Sequence, residues 1–446
     1  MPLDPTEFAA DHVAAMPLLV LPSLDAVDPN AWDALGGDDF PFVSHAFLQG
    51  LQRTGCVGQG TAWAPRYLLW LDPADGELDG AAPLPQGLLR PRAAAPAYLK
   101  TDGRGEYVFD WAWADACARA GLPYYPKLVV AAPFAPANGP KLLVGRCGSR
   151  AEADGLRRTL AEGLWALTHQ SRGSSAHVLL CSDDDASALA FGAQASSADV
   201  GGAWHRRATL QYQWHNPGVG DFEGFLGSLR SRARKQIRSE RRVAEGHGLR
   251  LQVEGGDQLS ADDWQAVADL YERGCLRYGS MPYLRPAFFS WLAAHLAGRV
   301  VCATARDDDG EIVAMTLNFL GRDDLYGRHW GAVQEWPMLH FELAYYRLIA
   351  FVAEHGLGRL EAGSGGDHKL ARGLQPTVCH SLHRFADPRL AVAVAGFLDQ
   401  EREAVAQAQQ AIAAQGRQRR GELGSDDGPT RESRSRAQAP DGTPEF

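Results

Sequence analysis

The sequence predicts an α/β protein made of two similar halves, each with a mixed sheet flanked by helices. Hydrophobic residues make up 45% of the 446-residue chain and charged residues 22%, which is an ordinary composition for a globular protein with a sizeable core. Strand-like and helix-like segments alternate along the chain. A helix pair, a hairpin, a strand, a helix and a strand occur in this order twice, although no repeat is visible residue by residue.

The first half is expected to span residues 1–205. Ser44 is a favourable N-cap for its first helix, which is expected to end near Arg53. A strand at 67–71 and a second strand after the turn at 72–76 are expected to form a hairpin. Further strands are predicted at 105–110, 127–132 and 177–181, with one helix ending near 120 and another at 151–171.

The second half is expected to span residues 206–398, and residues 399–446 to form a helical extension and a disordered tail. Ser260 and Asp263 make a helix start of the capping-box type, and Gly356 suits the position after a helix end. The tail has almost no apolar residues and cannot order itself by burial. Strands are predicted at 211–214, 249–254, 300–306, 311–320, 324–331 and 378–385, and helices at 221–247 and 339–355.

Charge and cysteine usage narrow the class of protein. The net charge of −10 argues against a general nucleic-acid coat and against DNA as a partner, so any polyanion site has to be a local patch. No apolar run reaches the roughly 20 residues that span a bilayer, and the acidic N-terminus does not have the pattern of a signal peptide. The seven cysteines form no CxxC pair, which indicates buried thiols in a reducing compartment. We therefore expect a soluble, cytoplasmic protein.

A dense run of arginines is the strongest charge feature of the chain. On a helix, four of them fall on one stripe, beside an apolar stripe that faces the core: Arg230, Arg234, Arg238 and Arg241. Guanidinium groups bind phosphate through paired hydrogen bonds, so we expect this row to hold the phosphates of a substrate. The alternative is a basic face that is only solvated.

A glycine-rich segment at 361–373 follows a predicted buried strand. Its glycines allow backbone N–H groups to form an anion-binding turn. We expect Lys369 and Arg372 to stabilise negative charge on a phosphate or a tetrahedral oxyanion. One of three groups is expected to accept the proton of an attacking amine: Glu361, Asp367 or His368. The alternative is a flexible surface turn, and the Gly-Lys-Ser/Thr ending of a P-loop is missing.

A third segment lies where a strand is expected to lead into a helix. Arg328, His329 and Trp330 stand at this strand end, where backbone donors are able to meet a phosphate-bearing cofactor. Glu342 falls in the first turn of the helix that follows. It is a candidate base, or it only complements the helix macrodipole.

A fourth segment combines aromatic and charged residues in the first half. Asp110 and Trp111 stand at a predicted strand-to-helix junction, and Lys127 follows two tyrosines. We expect these three residues to line the pocket of the acceptor. Packing for the aromatic rings and helix capping for the carboxylate are the alternative.

A metal site is not expected. His368, His380 and His383 have suitable ligand chemistry, together with Asp367. His380 and His383 lie three positions apart on a predicted strand, so their side chains point to opposite faces and do not converge. A GxSxG nucleophile elbow, which would indicate an acyl-ester hydrolase, is also missing.

Several segments together resemble the FemAB-like family of N-acyltransferases, which is associated with peptidoglycan biosynthesis or recognition. The resemblance runs from about residue 41 to about residue 388. It is carried by PFVSHAFL at 41–48, GEYVFDW at 105–111, YYPKL at 124–128, YGRHWG at 326–331, LHFEL at 339–343, and EAG and HKLARG within 361–373.

The resemblance implies two GNAT-like domains in tandem and transfer of an acyl or aminoacyl group to an amine, with a peptidoglycan precursor as acceptor. The implied donor is an aminoacyl-tRNA or an acyl-CoA, and no tightly bound cofactor is implied. In Fem-type enzymes a basic helix resembles the run at 230–242, and a lysine-containing turn resembles 369–373. The chain departs from the acetyl-CoA pattern Q/R-x-x-G-x-G/A. It also lacks the long helical hairpin with which some Fem-type enzymes engage tRNA, unless the residues after 398 supply it.

The expected mechanism is direct attack of the amine on the acyl carbonyl, with much of the acceleration supplied by proximity. It requires the arginine row and the lysine turn to open onto a common cleft. The main alternative is a non-catalytic module for muropeptides or RNA, which would bind with strong salt dependence and form no product. An acyl-ester hydrolase is a further alternative.

Overall fold

The computed structural model describes residues 11–12, 18–71, 88–190, 203–366 and 368–421. The predicted tail at 424–446, the hairpin turn at 72–76 and Asp367 lie outside the described residues. Within the described part of the chain, no helix combines the length and the apolarity needed to cross a membrane.

The first half contains short strands and five α-helices among the described residues. The strands are β1 (Asp11–His12), β2 (Leu18–Leu21), β3 (Trp63–Pro65), β4 (Tyr67–Trp70), β5 (Ala93–Ala95), β6 (Ala97–Lys100), β7 (Lys127–Val130), β8 (Leu143–Val144) and β9 (Ser175–Cys181). The helices are α1 (Pro29–Trp32), α2 (His45–Arg53), α3 (Trp111–Arg119), α4 (Arg150–Gln170) and α5 (Asp183–Ala190). Ser44 caps α2 by accepting a hydrogen bond from the backbone N–H of Phe47, as predicted.

The second half has longer strands. These are β10 (His205–His215), β11 (Arg250–Gly255), β12 (Val300–Arg306), β13 (Ile312–Leu320), β14 (Asp324–Ala332), β15 (Arg359–Glu361) and β16 (Gln375–Phe385). The helices are α6 (Phe222–Ser228), α7 (Ser231–Glu245), α8 (Ala261–Arg277), α9 (Pro286–His295), α10 (Leu339–Phe341), α11 (Arg347–Glu354), α12 (His368–Ala371) and α13 (Pro388–Gly421). Ser260 and Asp263 form the predicted capping box at the start of α8.

Both halves share one eleven-stranded sheet. Its order is β11-β12-β13-β14-β15-β10-β16-β9-β7-β6-β3, and a five-stranded sheet has the order β1-β2-β4-β5-β8. β16 pairs antiparallel with β9, whereas β7 with β9 and β14 with β15 are parallel. The predicted α/β class with mixed sheets is therefore confirmed. The domain boundaries at 205/206 and 398/399 stay predictions.

Aromatic residues join the first half to the second. Phe42, which precedes α2, contacts Phe47 and Tyr326 edge-on and lies 5.0 Å from Phe319 of β13, measured between ring centroids. Phe47 contacts Phe288 of α9 at 5.5 Å. These rings are almost fully buried, and burial of one such side chain stabilises a fold by about 1.5–3 kcal/mol. The cluster therefore fixes the first half against β13 and β14.

Strands β14 and β15 run side by side only at their start. Three residue pairs join them, beginning at Asp324 and Arg359. β14 then continues to Ala332, whereas β15 ends at Glu361. β14 therefore extends beyond β15 at this end of the sheet, where α10 and a π-helical turn, Glu342–Tyr346, follow β14. Such π-helical turns occur frequently at functional sites.

Two predictions of local structure are wrong. The segment 105–110 is not a strand, because Gly105 and Tyr107 have φ angles of 76° and 58°, in the left-handed region that a strand does not accommodate. The helix predicted over 221–247 is broken between α6 and α7. The two residues between these helices have extended backbone, with ψ angles of 165° and 152°.

Candidate functional site

Helix α7 lies beside the glycine-rich turn and the segment that follows β14. Just before α7, Leu229 lies next to Gly373, where an added Cβ would come within 3.3 Å of Leu229 Cδ2. Just after α7, His247 Nε2 lies 2.9 Å from the carbonyl oxygen of Pro337, in the loop between β14 and α10. The arginine-bearing helix and the glycine-rich turn are therefore neighbours.

A buried ion pair holds α7 against the glycine-rich turn. Arg372 donates from Nη2 to Glu240 Oε1 at 2.9 Å and from Nε to Oε2 at 3.1 Å. Tyr346 donates its hydroxyl proton to the same carboxylate, and burial raises the pKa of this phenol. The Arg372 guanidinium also lies 3.5 Å from the ring centroid of Phe341 and donates to the carbonyl oxygen of His368. Arg372, predicted to neutralise a ligand, thus binds α7.

A second buried carboxylate holds α7 on the π-helical turn. Arg241 donates from Nε to Glu342 Oε2 at 3.0 Å and from Nη2 to Oε1 at 3.1 Å. Arg347 Nε lies 3.2 Å from Glu342 Oε1, and the Glu342 side chain is fully buried. Two guanidinium groups thus face the carboxylate of Glu342, which was predicted either to act as a base or to complement the helix macrodipole.

The predicted arginine stripe is divided between the inside and the outside of α7. Arg241 is directed inward to Glu342. Arg238 is exposed and pairs with Glu223 at 2.7 Å, whereas Arg230 and Arg234 are half-buried near the helix start. Exposed cations of the run that the stripe did not include are Arg232, Lys235 and Arg242. The outer face of α7 is therefore a basic patch on an otherwise acidic protein.

The ammonium group of Lys369 holds the glycine-rich turn together. Nζ donates to the carbonyl oxygens of Ala362 at 2.8 Å, Ser364 at 2.7 Å and Gly363 at 3.4 Å. Burial, and then the charge of Arg328, lower the pKa of Lys369 to about 8. Because its three protons face backbone oxygens, this lysine fixes the shape of the turn.

Two other predicted site residues lie in an interior ion pair. Arg328 donates from Nη2 to Glu361 Oε1, and both side chains are buried. Arg328 is the extra residue at a register shift between β13 and β14, and such bulges redirect a side chain. His329 packs edge-on against Tyr271, with 4.7 Å between ring centroids, and burial lowers its pKa to about 3.

Aromatic side chains form a wall beside the glycine-rich turn, which we call the aromatic wall. Its members are Trp330, His340, Phe341, Tyr345 and His368. Phe341 and Tyr345 stack with 6.0 Å between ring centroids, and Trp330 lies 5.1 Å from His340. Exposed His368 places Nε2 3.3 Å from the Tyr345 hydroxyl, and burial lowers the pKa of His340 to about 3. Phe341 and Tyr345 lie on one helix face because of their i, i+4 spacing, and Tyr345 is a buried residue of the hydrophobic core.

The residues of the first half that were predicted to bind the acceptor are also partly buried in ion pairs and partly exposed. Lys127 Nζ pairs with Glu106 Oε2 at 2.8 Å and with Asp110, and all three side chains are buried. Tyr124 donates its hydroxyl to Asp110 Oδ2 at 2.5 Å. Burial raises the pKa of Glu106, against the opposing charge of Lys127. Trp111, in contrast, is exposed.

The two groups of predicted site residues lie at opposite ends of β10. Arg207 Nη1 donates to the carbonyl oxygen of Phe109 at 2.7 Å, and Lys369 Nζ lies 5.7 Å from the ring centroid of Tyr212. Arg207 and Tyr212 are separated along the strand by roughly 17 Å, at about 3.3 Å per residue. Asp110, Trp111 and Lys127 therefore do not share one small pocket with the lysine turn.

Among the described residues, no three metal-binding side chains come together in an arrangement that could hold an ion. His383 instead forms a close imidazole pair with His177, 2.6 Å between the Nδ1 atoms.

Solved structures of similar shape share little sequence with this chain. A structure of L-PGS from Bacillus licheniformis is 12% identical with a TM-score of 0.45, and the match covers 84% of this chain and 98% of that chain. A structure of FemX is 10% identical with a TM-score of 0.48, covering 83% and 98%. A tandem GNAT protein from the clavulanic acid biosynthesis pathway is 13% identical with a TM-score of 0.40, also covering 83% and 98%.

No curated protein matches the sequence significantly. The profile of the FemAB-like family, described as peptidoglycan biosynthesis/recognition, matches residues 23–420. This range is most of the chain, and it includes α7, the aromatic wall and the glycine-rich turn, so the resemblance inferred from sequence motifs is confirmed. The chain belongs to the FemAB-like family.

Proposed function

We propose that this FemAB-like protein is an N-acyltransferase, which transfers an acyl or aminoacyl group from an activated donor to an amine of a peptidoglycan precursor. The observation that carries the proposal is the position of α7, which two buried ion pairs hold against the glycine-rich turn and the π-helical turn. A strand end, a helix start and a glycine turn there offer backbone donors and aromatic faces to one ligand.

The donor in this proposal is an aminoacyl-tRNA or an acyl-CoA, and its phosphates bind the outer face of α7. Four exposed cations supply positive charge for phosphate contacts on that face: Arg232, Lys235, Arg238 and Arg242. Arg241 and Arg372 are already engaged by buried carboxylates. Because contacts with a polyanion release counterions, donor binding should weaken steeply with salt. Both donors occur in the cytoplasm, where we place the reaction.

In the proposed reaction, the acceptor amine attacks the acyl carbonyl carbon. A C–N bond forms, and the C–O or C–S bond to the carrier breaks. We assign His368 as the proton acceptor because it is exposed, whereas Glu361 is buried in an ion pair with Arg328. The departing oxygen or sulfur takes up this proton. Lys369 acts indirectly, by holding the turn whose N–H groups stabilise the oxyanion.

His368→Asn tests the assignment in a single-turnover assay. Enzyme is mixed with aminoacyl-tRNA or acyl-CoA and a nucleotide-linked muropeptide, and the product is measured by mass spectrometry. The transfer rate should fall by about 100-fold or more while donor binding is unchanged. His355→Asn, at an exposed imidazole of the same half, is the matched control and should transfer normally. Binding of muropeptide or RNA by the wild type without product would instead support a non-catalytic module.

A further inference from the structure

We propose that strand β11 is the interface through which two copies of this chain form a dimer, with the two β11 strands paired antiparallel. The proposal does not depend on the transferase reaction. β11 is the end strand of the eleven-stranded sheet and pairs with β12 on one side only. The free side of an end strand offers unpaired backbone N–H and C=O groups to another chain.

The edge at β11 differs from the other sheet edges in the described part of the chain. The opposite end of the same sheet is β3, which has three residues and includes Pro65, a residue that cannot donate a backbone hydrogen bond. The end strands of the smaller sheet, β1 and β8, have two residues each. β11 has six residues and no proline. Shortness and proline protect sheet edges from pairing, and β11 has neither.

The backbone of β11 presents a regular set of groups on its free side. The backbone N–H of Gly256, just after the strand, donates to the carbonyl oxygen of Val300 at 2.8 Å. The direction of these groups alternates along an antiparallel strand, so residues 250, 252 and 254 face β12. Leu251 and Val253 therefore direct their N–H and C=O groups outward, where no described strand pairs with them.

One register of a β11 pair matches the side chains of two copies. When the two-fold axis passes through Gln252, Arg250 lies opposite Glu254 of the partner subunit, on one face of the sheet. On the other face, Leu251 lies opposite Val253 of the partner subunit, and both side chains are only partly buried within one chain. Opposite charges and apolar side chains are favourable cross-strand pairs. A shift of the register by two residues would separate Arg250 from Glu254.

The charges on β11 favour a second copy as the partner. Within one chain, Arg250 lies opposite Arg306 of β12, and like charges in opposite positions repel each other. Arg306 pairs with Glu254 at 3.0 Å and with Asp263 at 2.6 Å, whereas no carboxylate among the described residues pairs with Arg250. Glu254 accepts two hydrogen bonds from Arg306 and one from Thr304. A carboxylate has about four acceptor positions, so one is left for Arg250 of the partner subunit.

Disulfide cross-linking tests the register. Opposite residues that do not exchange hydrogen bonds in an antiparallel pair have Cα atoms about 4.5 Å apart, within the roughly 4.4–6.8 Å that a disulfide spans. Gln252→Cys, at an exposed position on the axis, should therefore give a covalent dimer under mild oxidation, measured on a non-reducing gel. Gln265→Cys, at an exposed position of α8, is the matched control and should stay monomeric on the gel.

Sedimentation velocity over a series of concentrations tests the charges. Arg250→Glu places like charges opposite each other at two symmetric positions and should raise the Kd of the dimer by about tenfold or more. Glu254→Lys should act in the same way. An equimolar mixture of these two variants has opposite charges at both positions and should dimerise as the wild type does. Arg90→Glu, at an arginine of the first half whose side chain is 71% exposed, is the control and should leave the Kd unchanged.

Three results would overturn the proposal. The first is a wild-type chain that stays monomeric at every concentration. The second is equal cross-linking of Gln252→Cys and Gln265→Cys, and the third is a dimer that Arg250→Glu leaves intact. Arg250 and Gln252 are exposed, so these variants should keep the fold, and circular dichroism checks it. The result therefore stands even if Glu254→Lys, which loses the pair with Arg306, does not fold.

Discussion

Replacing Glu240 by alanine should destabilise the fold by about 3–5 kcal/mol, because the buried guanidinium of Arg372 then loses its counter-charge. The two side chains are 9% and 6% exposed, so water does not replace the missing carboxylate. Glu240 also accepts hydrogen bonds from Gln236 and from the hydroxyl of Tyr346. An unpaired buried hydroxyl costs about 1–3 kcal/mol, which is part of the same total.

Urea denaturation followed by circular dichroism measures this loss. Glu223→Ala is the control, because it removes the partner of Arg238 in a pair whose side chains are 69% and 54% exposed. Exposed pairs contribute about 0–1 kcal/mol, so this variant should stay close to wild type. A double variant, Glu240→Leu with Arg372→Met, removes both charges and should lie within about 2 kcal/mol of wild type. If Glu240→Ala and Glu223→Ala unfold at the same urea concentration, the buried ion pair of Glu240 and Arg372 does not stabilise the fold as predicted.

Two more predictions concern Lys369 and the packing of β14 against α8. Burial lowers the pKa of Lys369 from 10.5 to about 8. Between these pH values the unfolded chain binds a proton that the folded chain does not, so wild-type stability should rise with pH relative to Lys369→Met. Parallel melting temperatures across this window would contradict the prediction. Gly331→Ala places a Cβ 2.1 Å from the carbonyl oxygen of Leu270 and should cost about 1–3 kcal/mol in urea denaturation. Gly220→Ala, with no atom within 4 Å of the added Cβ, is the control, and equal loss in both variants would rule out a packing effect.

Features of the fold that depend on near neighbours were predictable from the sequence. Ser44 and Ser260 cap the helices that follow them, because an N-cap needs only the next three residues. The failure at 105–110 has an equally physical cause. The segment has residues typical of a strand, but positive φ angles interrupt the extended backbone. Its Asp110 also pairs with buried Lys127, 17 residues away along the chain.

The site was predictable as a set of segments but not as a set of contacts. Helical spacing places Arg241 on the arginine stripe, yet its partner Glu342 lies 101 residues away. Arg372 meets Glu240 across 132 residues. No local pattern in either segment predicts such a distant partner. The sequence therefore does not distinguish an arginine in a buried ion pair from one that is free to bind a phosphate.

The two buried pairs show why this helix is held by charge. Burying ions costs desolvation energy, and well-packed apolar residues would hold α7 about as firmly. Apolar packing, however, does not set direction, whereas the bidentate bonds of Arg372 and Arg241 set both distance and angle. They also neutralise the inner side of α7 and leave its outer side cationic. In the proposed function, the phosphate-bearing donor is therefore expected on the outer face of α7.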